Sequence, residues 1–134
     1  IEASGIGVAC IIAQFFDCPV LFAKKTKTKN IANAVYKTQV ASFTHGTTYD
    51  VIVSKDFLSE NDKVLIVDDV MKAGGTARGM VELAGEVGAT VVGKAFLIET
   101  ATPENKLIDD YTAFFRLYDV DEEARKVTIE PILG

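Results

Sequence analysis

Two hydrophobic rhythms run along this chain. Residues 6–16 form an almost unbroken apolar segment of helical length, and residues 76–87 form an amphipathic segment that ends against Gly88, a common helix terminator. Residues 64–67 and 91–98 are short apolar runs bounded by polar or turn residues, the pattern of strands buried on both faces of a parallel sheet. A further strand is expected over residues 20–24, directly after Pro19. Residues 37–43 and 48–54 alternate in part and flank Thr44-His45-Gly46-Thr47, which predicts a hairpin. Beyond residue 98 the chain reads as a shorter tail. Helices alternating with strands predict an α/β fold with a parallel sheet and right-handed crossovers, whose ligands bind at the carboxyl ends of the strands. The chain contains no internal repeat and no low-complexity tract.

One such carboxyl end carries the strongest chemistry. The apolar run 64–67 is followed by Asp68 and Asp69, then by Val70, Met71, Lys72, Ala73, Gly74, Gly75 and Thr76. Carboxylates suit hydroxyls or a metal. Glycines let a backbone turn tightly and approach a ligand closely, and the first N–H groups of the following helix favour an anion. A sugar phosphate requires both kinds of partner. Successive side chains of a strand point to opposite faces, so both acids can meet one ligand only if the strand has begun to turn there. Acids that merely cap a helix are the plainer alternative; the combination with Ala73-Gly74-Gly75-Thr76-Ala77 favours a ligand site. At the start of the chain, Ser4 and Gly5 precede the apolar segment 6–16, with Ser4 expected near the helix N-cap.

The segment 64–77 resembles the phosphoribosyl-pyrophosphate (PRPP) motif of type I phosphoribosyltransferases. That resemblance implies a Rossmann-like parallel-sheet fold with a flexible hairpin loop over the site, spanning residues 1–134. It implies that Asp68 and Asp69 hold the ribose hydroxyls, and that Ala73, Gly74, Gly75, Thr76 and Ala77 wrap the 5′-phosphate. Ile1-Glu2-Ala3-Ser4-Gly5-Ile6 is similar to the pyrophosphate loop of purine-type members, which makes Ala3, Ser4 and Gly5 diphosphate contacts. Lys24 and Lys25 match the basic pair that follows the corresponding strand in xanthine phosphoribosyltransferases. Residues 42–48 are likewise similar to the loop that closes over PRPP in those enzymes. His45, the only histidine, reads there as a structural or phosphate-contacting residue rather than a general base. Ile1 is expected to be the end of a strand whose remainder, with the lid segment of such enzymes, lies before this sequence.

Composition and charge fit this picture. With 134 residues, 49% hydrophobic and 25% charged, the chain can bury a real core. No apolar stretch approaches the roughly 20 residues that span a bilayer, and no signal-peptide pattern is present, so a cytoplasmic setting is expected. Cys10 lies among apolar neighbours and reads as a core residue, and Cys10 and Cys18 form no metal pattern. The net charge of −5 is unevenly spread: no acid lies between Asp17 and Asp50, where Lys24, Lys25, Lys27, Lys29 and Lys37 fall. Such a cluster can offset an acidic protein's repulsion of a diphosphate. For Lys27, Lys29 and Lys37 a solvated face is an equal reading. Without a basic pI or interleaved aromatics, nucleic-acid binding has no support.

The chemistry implied by the resemblance is displacement of pyrophosphate from C1 of PRPP by a purine nitrogen, through an oxocarbenium-like transition state. Mg²⁺ would be held mainly by the substrate's oxygens. The family is usually dimeric, and Phe114, Phe115 and Tyr118 suit a core or an interface equally. Two positions depart from relatives. Hypoxanthine-guanine enzymes carry an Asp where this chain has Lys72. Xanthine enzymes carry a base-contacting Lys where it has Thr100, whose hydroxyl is shorter and uncharged. The stretches 71–76, 107–111 and 127–130 resemble the PRPP-sensing domain of the purine operon repressors. Transfer to a purine, with xanthine favoured, is the leading expectation. A non-catalytic PRPP sensor, which alone would bring a nucleic-acid partner, is the alternative.

Overall fold

A computed structural model of the chain describes residues 1–26, 34–41 and 46–133, with Asp119 described in its backbone only. Lys27, Lys29, Ser42, Phe43, Thr44 and His45, with the tip of the expected hairpin, lie outside the described residues. The elements in order are α1 (Ser4–Phe16), β1 (Lys24–Thr26), β2 (Val35–Ala41), β3 (Thr48–Ser54), β4 (Lys63–Met71), α2 (Gly75–Val87), β5 (Thr90–Thr100), β6 (Thr112–Asp121) and β7 (Lys126–Pro131).

The strands form two sheets, a mixed α/β arrangement. The larger has the order β4-β5-β6-β7. Its β4–β5 and β5–β6 pairs are parallel, and β6–β7 is antiparallel. Parallel neighbours need a crossover, and α2 supplies it between β4 and β5. The apolar runs 64–67 and 91–98 became adjacent parallel strands, but they are not buried on both faces as expected, since Leu65, Val92 and Leu97 are exposed. The smaller sheet, β1-β3-β2, is antiparallel. Its β2–β3 pair is the expected hairpin, with Val40 opposite Tyr49 and Lys37 opposite Ile52.

α2 joins the two sheets. One core cluster gathers Val40, Val51 and Val53 of the hairpin with Leu83 of α2, Leu58, Ala23 and Ile1. Leu83 and Val51 are fully buried, and burial of such a side chain stabilises by about 1.5–3 kcal/mol. Close approach of α2 to β2 depends on Gly79. A Cβ there would lie 2.5 Å from Val40 Cγ2 and 3.3 Å from Thr38 Cγ2. The Thr38 hydroxyl also donates to Glu82 of α2 at 3.1 Å. A second cluster, Met71, Ala77 and Phe96 with Ile108 and Tyr111 against it, lies at the carboxyl ends of β4 and β5. There the Phe96 and Tyr111 rings meet edge to face, 5.8 Å apart.

Several expectations are corrected. The strand expected over residues 20–24 pairs only from Lys24 onward, because residues 24–26 find their partners in Asp50, Val51 and Ile52 of β3. Before it, the Ala23 carbonyl accepts from the Glu2 N–H at 3.0 Å, while Leu21 and Phe22 are exposed. α1 begins at Ser4, with Ala3 at the N-cap and no side-chain cap. Cys10 is exposed, because α1 fully buries only Gly5 and turns Cys10, Ile11, Phe15 and Phe16 outward; Cys18, beyond the helix, is exposed too. Of the two readings for Lys37 the solvated face holds, its exposed side chain pairing with Asp50 across the hairpin at 2.9 Å. The tail contains two long strands, β6 and β7.

Candidate functional site

β4 carries its apolar run straight through the acid pair. The strand continues to Met71, so the turn comes after the two aspartates, not at them. Pleat alternation then gives the two acids different surroundings, although their carboxyl groups still share a hydrogen bond. Asp68 is buried, 7% exposed, and lines a cavity; Asp69 is half-buried and turns to the start of α1. The Asp69 N–H donates to Asp68 Oδ1 at 3.0 Å. Gly5 is what lets α1 begin here: a Cβ on it would overlap Asp68 Oδ1 and sit 3.3 Å from the carboxyl carbon.

Environment drives the two acids apart. Burial pushes the Asp68 carboxyl up to about 6, helped by the neighbouring Asp69. Burial also pushes Asp69 up, but hydrogen bonds from the Ser4 hydroxyl and from backbone groups outweigh it and hold this carboxyl below its usual range. Ser4 thus serves the acid pair rather than capping its own helix.

Beyond Met71 the chain turns into α2 through Gly74, whose φ of +93° is a conformation L side chains rarely adopt. α2 has no side-chain cap and no acid in its first turn, so among the described residues neither offsets the positive end of its dipole. The Tyr49 hydroxyl and Thr76 Oγ1 are 2.7 Å apart, which ties β3 to that same helix end. The segment after β5 holds the loop from the other side. The Leu107 N–H donates to the Ala73 carbonyl at 2.8 Å, and Ile108 Cγ1 lies 3.3 Å from where a Gly74 Cβ would be.

These elements enclose a cavity of about 310 Å³. Asp68, Lys25, Ala73, Gly74, Gly75, Thr76 and Ala77 all line it. Ala3, Ser4, Gly5 and Asp69 are not in its lining; Gly5 packs on Asp68, and Ser4 bonds Asp69. Lys24 lies over the Phe22 ring at 5.7 Å and does not line the cavity. Lys25 does, with its ammonium 5.1 Å from the centre of the Tyr49 ring. Thr100 ends β5 outside the lining, its hydroxyl donating to the Thr102 carbonyl at 2.8 Å.

Sequence reasoning missed Tyr49, Phe96, Leu107 and a charged group at the end of β5. Tyr49 is the only aromatic residue of residues 48–54, which was the available signal. Glu99 is buried and accepts from the Tyr111 hydroxyl at 2.6 Å and from Arg116 Nε and Nη2 at 2.9 and 2.7 Å. Its burial would raise its pKa, but these donors win and hold it low, while burial and Glu99 together push Tyr111 up to about 12. Lys106 Nζ donates to the carbonyls of Lys72 and Thr100, both at 2.6 Å. Desolvation lowers the pKa of that ammonium, against the pull of Glu99.

A parallel β-α-β unit here carries acids near the end of its first strand and a glycine turn that opens its helix. Residues 1–129 match the phosphoribosyl transferase domain, and the chain belongs to that family. A xanthine phosphoribosyltransferase of Lachnoclostridium phytofermentans is 52% identical over 99 residues, covering 74% of this chain and 51% of the relative. The chain spans about half the length of the curated relatives it matches. Among solved structures, the adenine phosphoribosyltransferase of Rhodothermus marinus aligns with a TM-score of 0.70 at 27% identity, covering 84% of this chain and 62% of that one. The fold is also that of the Trypanosoma brucei adenine phosphoribosyltransferase in complex with AMP, pyrophosphate and ribose-5-phosphate, at a TM-score of 0.67 and 23% identity over 77% of this chain and 44% of that one.

Proposed function

We propose that the protein transfers the 5-phosphoribosyl group from PRPP to a purine base, xanthine in the first instance, releasing pyrophosphate and forming a nucleoside monophosphate. The observation that carries this reading is the convergence on one cavity of the Asp68 carboxylate, the Lys25 ammonium and the uncapped start of α2 behind Gly74. The names of the relatives support the choice of xanthine, and they support an enzyme over a PRPP sensor.

In this reading the first N–H groups of α2 receive the 5′-phosphate, and Thr76 adds a hydroxyl held in place by Tyr49. Asp68 accepts from a ribose hydroxyl; Asp69, bound to Ser4, links the sugar site to the start of α1, where Ala3 to Gly5 meet the diphosphate. Lys25 offsets charge on the departing diphosphate. No nucleophile of the protein is needed, since positioning and electrostatic stabilisation lower the barrier. The described residues include no cluster of three or more His, Cys, Asp or Glu side chains able to hold a metal. Mg²⁺ would be carried in on the substrate's diphosphate, with Asp68 the carboxylate that faces it in the cavity, and would neutralise developing charge on the leaving group. A single domain, a homodimer and a cytoplasmic setting complete the proposal. No helix among the described residues is long and apolar enough to cross a membrane.

The test uses the full-length protein. Pyrophosphate release from PRPP should require both a purine and Mg²⁺, and Asp68→Asn with Asp69→Asn should weaken PRPP binding at least tenfold in calorimetry while circular dichroism stays unchanged. Charge-assisted hydrogen bonds contribute about 1.5–3 kcal/mol each, and 1.4 kcal/mol is tenfold. PRPP bound without turnover of xanthine, guanine, hypoxanthine or adenine would sink the enzyme reading. Undiminished affinity in the double variant would remove the acids from the site.

A further inference from the structure

Two backbone carbonyls at neighbouring strand ends share one cation. Lys72 follows β4 and opens the anion loop; Thr100 closes β5; Lys106 Nζ lies 2.6 Å from both oxygens. Parallel strands are paired along their length, here up to Met71 opposite Glu99, and beyond that point nothing in the ladder joins the two chain ends. Lys106 bridges that gap. The next two residues continue the contact, Leu107 through its bond to the Ala73 carbonyl and Ile108 through its packing on Gly74. Lys106 also feels the charge of the buried Glu99 carboxylate, which accepts from Tyr111 and Arg116.

We infer that Lys106 is a positioning residue that holds the phosphate loop and the end of β5 at a constant separation, so that a ligand spanning both is bound in one geometry. This role depends on the phosphoribosyl reading above. In that reading the loop takes the phosphate, and Thr100 at the end of β5, where xanthine enzymes carry a base-contacting Lys, is assigned to the base side although it lies outside the cavity lining. A nucleotide touches both ends at once, whereas ribose 5-phosphate fills only the loop, which Leu107 still holds when the Lys106 ammonium is gone. Loss of the bridge should therefore penalise the long ligand selectively. Charge-assisted hydrogen bonds are short and directional, so an ammonium held by two carbonyls specifies distance as well as supplying charge.

The experiment measures xanthosine 5′-monophosphate and ribose 5-phosphate affinities by calorimetry for the full-length wild type, Lys106→Met and Lys106→Arg. For Lys106→Met the nucleotide should weaken about tenfold or more and ribose 5-phosphate less than threefold. In turnover assays its kcat should fall more than its KM for PRPP rises, since a small misplacement of reacting groups costs rate steeply. Lys106→Arg, which keeps charge and donors, should recover most of both losses. Should Lys106→Met fail to fold, Lys106→Gln, with a neutral donor, gives the same comparison. Equal weakening of both ligands would reduce Lys106 to a brace of the loop and overturn the inference, as would an unchanged nucleotide affinity. Wild-type protein that binds neither ligand overturns the phosphoribosyl reading itself, and the inference with it.

Discussion

Replacing Gly79 of α2 by alanine tests the packing that brings the hairpin to the site. In an exposed helix interior that exchange is favourable by about 0.5–1 kcal/mol, because glycine loses more chain entropy on folding. At position 79 the added Cβ would lie 2.5 Å from Val40 Cγ2, whereas carbons rest about 3.5–4.0 Å apart. Either α2 or β2 must move by about 1 Å. Val40 offers little relief, since it is 4% exposed and β-branched side chains have few χ1 choices. Overpacking of this kind costs about 1–3 kcal/mol, so the net expectation is a loss of about 1–2 kcal/mol. Gly85 lies on the same helix with nothing within 4 Å of its would-be Cβ, and there alanine should stabilise by about 0.5–1 kcal/mol. Urea titration of the two variants should show midpoints moving in opposite directions at constant slope. Displacement of β2 should also disturb the Tyr49–Thr76 contact, so ligand affinity should fall for Gly79→Ala alone. Adding Val40→Ala to Gly79→Ala should lift part of the steric penalty. Equal stability of Gly79→Ala and Gly85→Ala would refute the close approach of helix and hairpin.

Gly74→Ala forces a side chain into a positive-φ position at a cost of about 1–2 kcal/mol and presses on Ile108, so melting temperature and PRPP affinity should both fall. Gly75→Ala meets only ordinary contacts, the nearest 3.5 Å away, and should be near neutral in stability. The raised pKa of Asp68, about 6, has two consequences of opposite sign. The folded state holds a proton that the unfolded chain releases near pH 4, so stability should decline as pH rises from about 4 to about 6, and Asp68→Asn should flatten that decline in urea titrations. PRPP affinity should instead rise with pH, by about tenfold between pH 5 and 7 if the ionised carboxylate is required. The ligand's own titration cancels in the comparison with Asp68→Asn, and an equal pH slope in that variant would contradict the assignment.

Much of the β4–α2–β5 unit was legible because unbroken apolar runs and the Gly74-Gly75 pair report backbone conformation directly. Gly88, left-handed at φ +80°, closes α2 where the sequence placed its end. The placement of residues 20–26 was not legible. Their partners, Asp50 to Ile52, are an antiparallel strand, and pairing direction is a tertiary choice that composition does not display. Of the two loop glycines, only the structure separates Gly74, which needs a left-handed φ, from Gly75, which does not. Ser4 read as a helix cap because capping is a local habit of serine, whereas its observed partner, Asp69, is remote in the chain. Lys106 was invisible for a related reason: both of its acceptors are main-chain carbonyls, and every residue has one.

The bond from Leu107 N–H to the Ala73 carbonyl has a consequence for synthesis. A chain leaving the ribosome exposes the strand, the glycine turn and the start of α2 well before it delivers Leu107 and Ile108. Until those residues arrive, the Ala73 carbonyl lacks its donor and the turn at Gly74 has Met71 beside it but neither Leu107 nor Ile108. The nascent protein then holds an anion loop without its backing, and ligand captured at that stage would meet an unformed wall. Ligand retention by stalled chains of increasing length should accordingly appear as a step once the segment after β5 has emerged, not as a gradual rise.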